Sequence, residues 1–344
     1  MSSLVPHLSN YQQMTPTGTL LLTRHEVASL FSIEDCISAV EGVFKLHGEG
    51  KTEMPGILGI HATKGGFHIK AGVLKLQRPF FAAKINANFP QNPKLFGLPL
   101  IQGVIVLCDG ETGYPLAVMD SIEITILRTG AATAVAARYL ARPNSTSVTV
   151  CGCGNQGAVS LRALSKLYSL RYAFAYDIDN NRAREFARKL SPELRIEITP
   201  TTHLQDVLSV SDICVTCTPA KTYFVKRENV LPGMFIAAVG ADNEDKQELD
   251  PALFTGNKIV VDLLDQCATI GELHHALEQK VVTTNDVYAE LGDVVAGSKR
   301  GRTSAEEITI FDSTGMALQD VVAAAAVYEK AVMMGKGRLL NFNV

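Results

Sequence analysis

Three glycines near the middle of the chain have the spacing of a nucleotide-binding turn. They are Gly152, Gly154 and Gly157, in the run Ser-Val-Thr-Val-Cys-Gly-Cys-Gly-Asn-Gln-Gly at 147–157. A strand-like segment precedes this G-x-G-x-x-G pattern and a helix-like segment follows it, which makes an otherwise weak motif meaningful. Gly152 would allow a tight turn, Gly154 the approach of a diphosphate, and Gly157 close packing of helix and strand. The motif therefore predicts that helix N–H groups bind the diphosphate of a dinucleotide.

An acidic residue, Asp177, follows Gly152 by 25 positions, at the end of the next predicted strand. A carboxylate there would accept hydrogen bonds from the adenosine ribose hydroxyls and repel a 2′-phosphate, so NAD is favoured over NADP. Arg182, five residues further on, keeps NADP possible. The alternative is an α/β domain without nucleotide, in which the glycine turn is incidental.

Polar residues after two later predicted strands are expected in the same crevice, because ligands bind at the carboxyl ends of parallel strands. Thr218 follows one strand, and Asp242 follows another, three residues after Val239. Asp242 would then lie near the nicotinamide end of the cofactor. The alternative for Asp242 is a solvated loop position, since residues 243–245 are also polar.

Three basic residues before position 130 are candidates for binding an anion. Lys70 and Lys84 each lie in a predicted strand among apolar residues, and Arg128 is expected to begin a helix of small residues. A cation in the first helical turn opposes the helix dipole, so this placement favours a bound carboxylate that Arg128 would hold. For each lysine the alternative is an exposed strand face. His68 shares the strand face of Lys70 and is interpreted as structural.

The cysteines and histidines do not have the spacing of a metal site. Cys214 and Cys217 form a C-x-x-C, but residues three apart in a predicted strand point to opposite faces. His274 and His275 lie in a polar helical stretch without a carboxylate at metal-binding spacing, and we interpret them as surface residues. We expect no metal, and the odd number of cysteines, seven, indicates a reducing, cytoplasmic setting.

The elements that must position these residues form two groups. Between about residues 148 and 262, apolar runs alternate with amphipathic segments, which predicts an α/β, Rossmann-type, doubly wound parallel sheet. The predicted strands are 148–151, 172–176, 213–216, 234–239 and 258–261, with helices that include 158–168 and 182–190. A second, strand-rich α+β domain is predicted from strands at 67–71, 81–86 and 103–107, and residues 316–336 have a helical pattern.

Composition excludes several classes of protein. The 344 residues suit two domains, and 47% hydrophobic against 19% charged residues excludes general disorder. With 32 basic and 35 acidic residues the formal charge is −3, which gives no basis for binding nucleic acid or anionic membranes. No apolar run is long enough to span a bilayer, and residues 1–19 lack the pattern of a signal peptide.

Several short motifs occur in order from about residue 20 to the end of the chain. They include Lys84-Ile-Asn-Ala-Asn-Phe-Pro, Gly97-Leu-Pro, Asp109-Gly-Glu-Thr-Gly-Tyr-Pro, Arg128-Thr-Gly-Ala-Ala-Thr, Gly152-Cys-Gly-Asn-Gln-Gly, Val239-Gly-Ala-Asp, Lys246-Gln-Glu-Leu, Glu290-Leu-Gly-Asp and Phe311-Asp-Ser-Thr-Gly. As a set they resemble the ornithine cyclodeaminase/mu-crystallin family. That family includes cyclodeaminases, an archaeal-type alanine dehydrogenase, ketimine and Δ1-pyrroline-2-carboxylate reductases, and the mu-crystallins.

The resemblance implies a homodimer built through the strand-rich domain (1–125 and 316–344), with a Rossmann domain at 126–315 and substrate held between them. It implies that Asp242 and Lys84 are catalytic, with Asp242 as the acid/base for the amine or imine nitrogen. Lys84 and Arg128 would bind the substrate α-carboxylate. The implied dinucleotide contacts are Arg128, Gly152, Gly154, Asn155, Gln156, Gly157, Asp177, Thr218, Val239, Lys246 and Ser313.

Two departures from the family pattern bear on the substrate. Many members carry an Arg or Lys soon after a Met-Pro pair; Met54-Pro55 lacks it, and we hypothesise that Lys70 supplies this charge. The Thr that cyclodeaminases carry after Gly-Leu-x is Leu100 here.

We therefore expect an NAD(P)-dependent oxidoreductase that transfers hydride between nicotinamide and the α-carbon of a small 2-imino acid or amino acid. Ornithine cyclodeaminase is the alternative enzyme. A mu-crystallin-like, nucleotide-bound binding protein is the alternative of another class, but it would have no need for a proton donor such as Asp242.

Overall fold

The computed structural model describes residues 18–342; residues 1–17, on which most of the signal-peptide prediction rests, lie outside the described residues. Within 18–342 there are seventeen strands: β1 Thr19–Leu22, β2 Gly56–Ala62, β3 Gly65–Lys75, β4 Pro79–Asn88, β5 Ile101–Asp109, β6 Pro115–Asp120, β7 Ser147–Cys151, β8 Tyr172–Tyr176, β9 Glu197–Thr201, β10 Ile213–Thr216, β11 Lys221–Val225, β12 Phe235–Ala238, β13 Gln247–Leu249, β14 Lys258–Val261, β15 Ala289–Glu290, β16 Thr309–Asp312 and β17 Arg338–Leu340.

The same residues form eleven α-helices: α1 Arg24–Leu30, α2 Ile33–Gly48, α3 Asn92–Phe96, α4 Ile122–Leu140, α5 Asn155–Ser165, α6 Asn180–Leu194, α7 Leu204–Leu208, α8 Leu264–Ile270, α9 Glu272–Glu278, α10 Leu291–Ala296 and α11 Ala317–Met333. Single-turn 3₁₀ helices occur at Arg227–Asn229, Pro251–Phe254 and Thr284–Asp286. No helix among residues 18–342 combines the length and apolarity needed to cross a membrane.

The chain divides into two compact units. The first unit comprises the residues up to Arg128 together with those from Met316 onward, and the second is Thr129–Gly315. The boundary between Arg128 and Thr129 falls inside α4, and the boundary between Gly315 and Met316 falls just before α11.

The first unit is built on a seven-stranded sheet in the order β17-β1-β6-β5-β4-β3-β2. Neighbours from β2 to β6 pair antiparallel, β1 joins β6 in parallel, and β17 closes the edge antiparallel to β1. Helix α11 packs on β3 and β4 and against α2. Residues 317–325 of α11 are all buried, as expected for a helix that is apolar on nearly every side.

The second unit confirms the predicted doubly wound α/β fold. Its main sheet has eight strands in the order β15-β14-β16-β12-β10-β7-β8-β9, and every neighbouring pair is parallel. The strands β7, β10, β12 and β14 are apolar and buried almost throughout, because helices cover both faces of such a sheet. The strand order reverses between β7 and β10, which is where this architecture binds ligands.

One element differs from its prediction in a way that matters for the site. Arg128 does not begin a helix; it is the seventh residue of α4, which starts at Ile122. The start is set by Asp120, whose Oδ1 accepts hydrogen bonds from the N–H groups of Ile122 at 2.9 Å and Glu123 at 3.1 Å. The prediction that Arg128 opposes the dipole of a first helical turn is therefore wrong, and its environment must come from side-chain packing.

Candidate active site

The first unit contains a buried cluster of basic side chains on one face of its sheet. In the antiparallel pairing of β3 with β4, Lys70 lies directly opposite Lys84. Directly opposed residues place their side chains on the same face, and like charges in that arrangement repel. Both lysines are nonetheless buried, at 8% and 3% exposure, so the exposed-face alternative is wrong. An anion must compensate these charges.

That anion is Asp320, on α11. Its Oδ2 lies 2.7 Å from Lys84 Nζ, and its Oδ1 lies 3.4 Å from Arg128 Nε. The neighbouring Gln319 accepts a hydrogen bond at 3.3 Å from Arg128 Nη1. All these side chains are buried. The structure thus brings together Lys70, Lys84 and Arg128, which the sequence singled out. It adds Asp320 and Gln319, which the sequence did not.

The electrostatics of this cluster favour an anionic ligand. Burial lowers the pKa of Lys84 to about 7, with Arg128 and Lys70 adding to the effect and Asp320 opposing it. Burial also works against ionisation of Asp320, but Lys84 and Arg128 more than offset this, so its pKa lies below the usual range. Three basic groups face one carboxylate, so the cluster has an excess of positive charge suited to a second carboxylate.

The glycine-rich turn of the second unit has the geometry that its sequence predicts. Gly152 has a φ of 103°, in the left-handed region, and its N–H donates to the Tyr176 carbonyl at 2.9 Å. A Cβ at Gly157 would overlap the Gly152 carbonyl oxygen, so only glycine lets α5 start this close to β7. A Cβ at Gly154 would meet no atom within 4 Å, so the chain leaves room beside the turn. These three roles fit the predicted diphosphate cradle.

The start of α5 offers donors to a ligand. Gly154 is its N-cap residue and no side chain caps the helix, so the first N–H groups, those of Asn155, Gln156 and Gly157, point outward. Asp177 borders the turn: its Oδ2 accepts from the Cys153 N–H at 2.9 Å. Asp177 is therefore positioned against the glycine loop, as a ribose-binding carboxylate in this fold would be.

The loop after β12 carries Asp242. Its carboxylate is about half exposed, and Oδ1 lies 2.7 Å from Lys246 Nζ. The same Nζ donates to the Gly240 carbonyl at 3.1 Å, so Lys246 holds this loop together. Val239, at the start of the loop, donates its N–H to the Thr216 carbonyl at 2.9 Å. Asp242 is thus a held but accessible carboxylate rather than a loosely solvated one.

Buried carboxylates lie behind these loops, and the sequence did not single them out. Glu248 is fully buried and its Oε1 accepts from the Thr218 N–H at 2.6 Å. Burial raises the pKa of Glu248 to about 7, partly offset by hydrogen bonds from Thr218. Asp262, also fully buried, accepts at 2.9 Å from the hydroxyl of Ser313. These acids position Thr218 and Ser313 from the protein interior.

The structure corrects the interpretation of two other groups. His274 and His275 are not plain surface residues: Glu278 Oε1 lies 3.5 Å from His274 Nε2, and His275 Nε2 lies 2.7 Å from the Lys246 carbonyl oxygen. Glu278 lies four residues after His274, so the prediction that no carboxylate has metal-binding spacing here is wrong. One possible ligand atom from each of His274, His275 and Glu278 lies within 4.8 Å of the other two. We assign this group no role in the chemistry, because His275 Nε2 already has the Lys246 carbonyl oxygen as its partner.

The two cysteines of the C-x-x-C do not share a strand. β10 ends at Thr216, one residue before Cys217, whose Sγ lies 3.3 Å from the carbonyl oxygens of Cys151 and Gly152. Cys214 is part of the apolar core. Both are free thiols.

Comparison with known proteins shows that this chain is similar to dehydrogenases and reductases of amino and imino acids. The profile of the ornithine cyclodeaminase/mu-crystallin family matches residues 17–335. An alanine dehydrogenase of Archaeoglobus fulgidus is 40% identical over 324 residues, which cover 94% of this chain and 98% of that protein. The structure of an archaeal alanine dehydrogenase dimer with bound NAD superposes with a TM-score of 0.90 at 40% identity, over 95% of this chain and 100% of that one.

A further similar protein is the Δ1-pyrroline-2-carboxylate reductase of Thermococcus litoralis, solved in complex with NADH and L-proline. It superposes with a TM-score of 0.89 at 33% identity, over 94% of this chain and 100% of that one. Together with the family profile, these matches span nearly the whole chain. The protein belongs to the ornithine cyclodeaminase/mu-crystallin family.

Proposed function

We propose that this protein is an NAD-dependent oxidoreductase that transfers a hydride between nicotinamide and the α-carbon of a small 2-imino acid or amino acid. The observation that carries the proposal is the buried cluster of Lys70, Lys84 and Arg128 around one carboxylate, in a chain that also has a dinucleotide-type glycine turn. The similar alanine dehydrogenase and pyrroline-carboxylate reductase, with NAD and NADH in their structures, support the same reaction class.

The cofactor would be bound by the second unit. Gly152, Gly154 and Gly157 shape the diphosphate cradle, and the N–H groups of Asn155 and Gln156 donate into it. The further contacts proposed are Asp177, Thr218, Val239, Lys246 and Ser313, with Arg128 from the first unit. When bound, the dinucleotide supplies or accepts the hydride at its nicotinamide ring.

NAD is preferred over NADP in this proposal. Asp177 would accept hydrogen bonds from the ribose hydroxyls and would repel a 2′-phosphate. Arg182, the residue that kept NADP possible, is 71% exposed, and its Nε lies 3.8 Å from the carboxylate of Asp179. A neighbouring carboxylate reduces its attraction for a phosphate.

The substrate would be oriented through its α-carboxylate. Lys70, Lys84 and Arg128 bind this group, which fixes the adjacent α-carbon for hydride transfer. Lys70 then supplies the charge that is missing after Met54-Pro55. Burial lowers the pKa of Lys84 to about 7, and Lys84 is the second proposed catalytic residue.

Asp242 moves the proton on the substrate nitrogen. In the reductive direction the imine carbon gains a hydride and the nitrogen gains a proton, which Asp242 in its protonated form would donate, leaving the carboxylate. Asp242 is exposed enough to meet a ligand, and Lys246 holds it in place. In the oxidative direction the same carboxylate accepts the proton.

The test is a panel of substrates with two readouts, NADH absorbance and ammonia release. The panel contains pyruvate with ammonia or methylamine, Δ1-pyrroline-2-carboxylate, Δ1-piperideine-2-carboxylate and ornithine. We expect net NADH consumption with at least one imine. Ammonia released from ornithine without net change in NADH would instead identify a cyclodeaminase, and ligand binding without turnover across the panel would identify a binding protein.

We further propose that the protein is a homodimer assembled through the first unit. Strand β2, at the edge of that sheet, is exposed along its whole length and carries Ile57, Leu58 and Ile60. An exposed apolar edge strand invites pairing with another chain. The archaeal alanine dehydrogenase, 40% identical, is a dimer.

We also propose that the protein is cytoplasmic. It is supported by the cysteines, all seven of which are free thiols, as expected in a reducing compartment. Small amino and imino acids are the expected partners, with no nucleic acid or membrane partner.

A further inference from the structure

The cation cluster of the first unit depends on a carboxylate whose position is unusual. Asp320 is only 2% exposed and lies in α11 in the run Ala-Leu-Gln-Asp-Val-Val-Ala, where every other residue except Gln319 is apolar. A carboxylate buried in such surroundings costs several kcal/mol unless cations pair with it. Its cost is offset here by Lys84 and Arg128.

The two oxygens of Asp320 are divided between two elements of the fold. Oδ2 contacts Lys84 on β4, and Oδ1 contacts Arg128 on α4. The strand partner of Lys84 is Lys70 on β3, so three elements converge on the residue that α11 supplies. Without the carboxylate, three cations would repel one another in a buried space, and long lysine and arginine side chains would turn away from it.

We propose that Asp320 is the positioning residue of the substrate-carboxylate site, which holds the Lys84 ammonium and the Arg128 guanidinium in place to receive the substrate anion. The inference rests on the proposed function. Asp320 does not touch the reacting atoms; it acts through Lys84 and Arg128. Two of the three cations are thereby pre-organised before substrate arrives.

This role has a consequence for pH dependence. The charged groups facing Lys84 are Asp320 from α11, Arg128 from α4 and Lys70 from β3, while the nearby Cys36 thiol on α2 stays neutral because burial raises its pKa. Of these only Asp320 favours the protonated lysine. Its removal leaves burial and two cations, all of which lower the pKa of Lys84 further below about 7. As the pH rises, a protein without this carboxylate should therefore lose its affinity for a substrate carboxylate at a lower pH than wild type does.

The experiment compares the full-length wild type with Asp320→Asn and with Asp35→Asn as a matched control. Asp35 is a surface carboxylate that also pairs with α11, through Lys330 at 2.5 Å, and it lies outside the cluster. KM and kcat for the best imine substrate are measured from pH 5.5 to 9, together with calorimetric binding of pyrrole-2-carboxylate, a planar anion that cannot accept a hydride.

We expect Asp320→Asn to raise KM and the Kd of pyrrole-2-carboxylate about 10-fold or more at pH 7.5, while kcat changes less. The pH at which KM begins to rise should fall by about one unit, and the control should match wild type. A variant that is folded by circular dichroism but keeps the wild-type KM and pH profile overturns the proposal. If wild type itself neither turns over an imine nor binds pyrrole-2-carboxylate, the proposed function fails as well.

A second variant covers the case in which Asp320→Asn does not fold. Asp320→Glu keeps the charge but moves the carboxylate by one methylene, so the pH profile should stay at its wild-type position while KM rises several-fold. A wild-type KM in Asp320→Glu would show that the placement of this carboxylate does not matter, and would overturn the proposal.

Discussion

Asp242 combines two properties that a proton-transferring group needs. Its side chain is about half exposed, which leaves it open to a ligand, and it is held 2.7 Å from Lys246 Nζ. Lys246 is in turn fixed by the Gly240 carbonyl and, through its own carbonyl, by His275. A carboxylate held in this way loses little freedom when the substrate nitrogen arrives, which is the condition for efficient general acid–base catalysis.

Asp242→Asn should therefore abolish turnover without affecting cofactor binding. The amide keeps the size of the side chain but cannot take up a proton, so we expect kcat to fall about 100-fold or more. NADH affinity, measured by fluorescence titration, should stay within a factor of about three. Asp245→Asn is the matched control, because Asp245 lies in the same loop but is exposed and pairs with Lys221 at 2.8 Å. Turnover that survives in Asp242→Asn would remove this residue from the mechanism.

Gly154 and Gly157 should respond to alanine in opposite ways. A methyl group at Gly154 would enter open space beside the turn, so Gly154→Ala should keep the wild-type Tm and weaken NADH binding at least 10-fold. A methyl group at Gly157 would overlap the Gly152 carbonyl, so Gly157→Ala should destabilise the fold by about 1–3 kcal/mol. Thermal unfolding and NADH titration of both variants separate the two roles. Equal loss of stability in both would contradict the assignment of Gly154 to ligand approach.

At the scale of elements, buried carboxylates connect α9 to two sheets of the second unit: to β13, which pairs with β11 in a two-stranded sheet, and to β16 of the eight-stranded sheet. Glu272, at the start of α9, accepts hydrogen bonds from the N–H groups of Glu248 and Leu249 at 2.8 and 2.9 Å. Asp312, at the end of β16, accepts from the Leu273 N–H at 2.9 Å. Burial raises the pKa of Glu248 and of Asp312 to about 7 each, and raises that of Glu272. The folded protein therefore holds protons here that an unfolded chain would release at lower pH.

This arrangement predicts a pH dependence of stability. Between the ordinary glutamate pKa of 4.5 and the folded value of about 7, the folded state binds more protons at Glu248 than the unfolded state does, so its stability falls as the pH rises. Glu248→Gln keeps an acceptor for the Thr218 N–H and removes the titration. Urea denaturation measures the unfolding free energy at pH 4.5 and at pH 7. The decrease between the two should be smaller in Glu248→Gln than in wild type, by about 1–3 kcal/mol.

The control for this measurement is Glu244→Gln, which removes an exposed carboxyl four residues away. It should leave the pH profile of stability unchanged. An identical profile in wild type and Glu248→Gln would show that Glu248 does not hold its proton in the folded state.

At the scale of the whole molecule, the first unit has an exposed apolar edge. Its sheet ends at β2, where Leu58 and Ile60, two residues apart, project from the same face and are 54% and 47% exposed. Phe96, Leu98 and Ile101 of the same unit are also exposed. So many apolar side chains on one unit are characteristic of an association surface.

The double variant Leu58→Lys/Ile60→Lys should convert the proposed dimer into a monomer, because charges on an edge strand oppose pairing with another chain. Light scattering coupled to size exclusion measures the change in mass. Val210→Lys is the control, since Val210 is an equally exposed apolar residue of the second unit, 60% exposed. A wild-type monomer, or a dimer that survives the double substitution, would contradict assembly through this strand.

Much of the fold was predictable because its signals are local. The strands Ile213–Thr216 and Lys258–Val261 occur at the predicted residues, since continuous apolar runs bounded by turns are typical of strands buried on both faces. Tyr172–Tyr176 also occurs as predicted, although alternate residues of this strand are partly exposed. The start of α4 was missed because Ile122, Ile124 and Ile126 are β-branched and do not favour a helix. The cap by Asp120 and the packing of the helix override that preference.

The candidate site likewise has features that local sequence determines and features that only the packing of the chain determines. The amino-acid sequence by itself determined the glycine turn, the residues that follow each strand and the membership of a family, because these depend on neighbours along the chain. Only the tertiary structure decided that Lys84 and Arg128 share Asp320, and that Glu248 holds Thr218. A lone Asp in an apolar helix was the available signal for Asp320, but its partners come from other elements. The partner of a buried charge is set by packing and burial, which short-range sequence patterns do not encode.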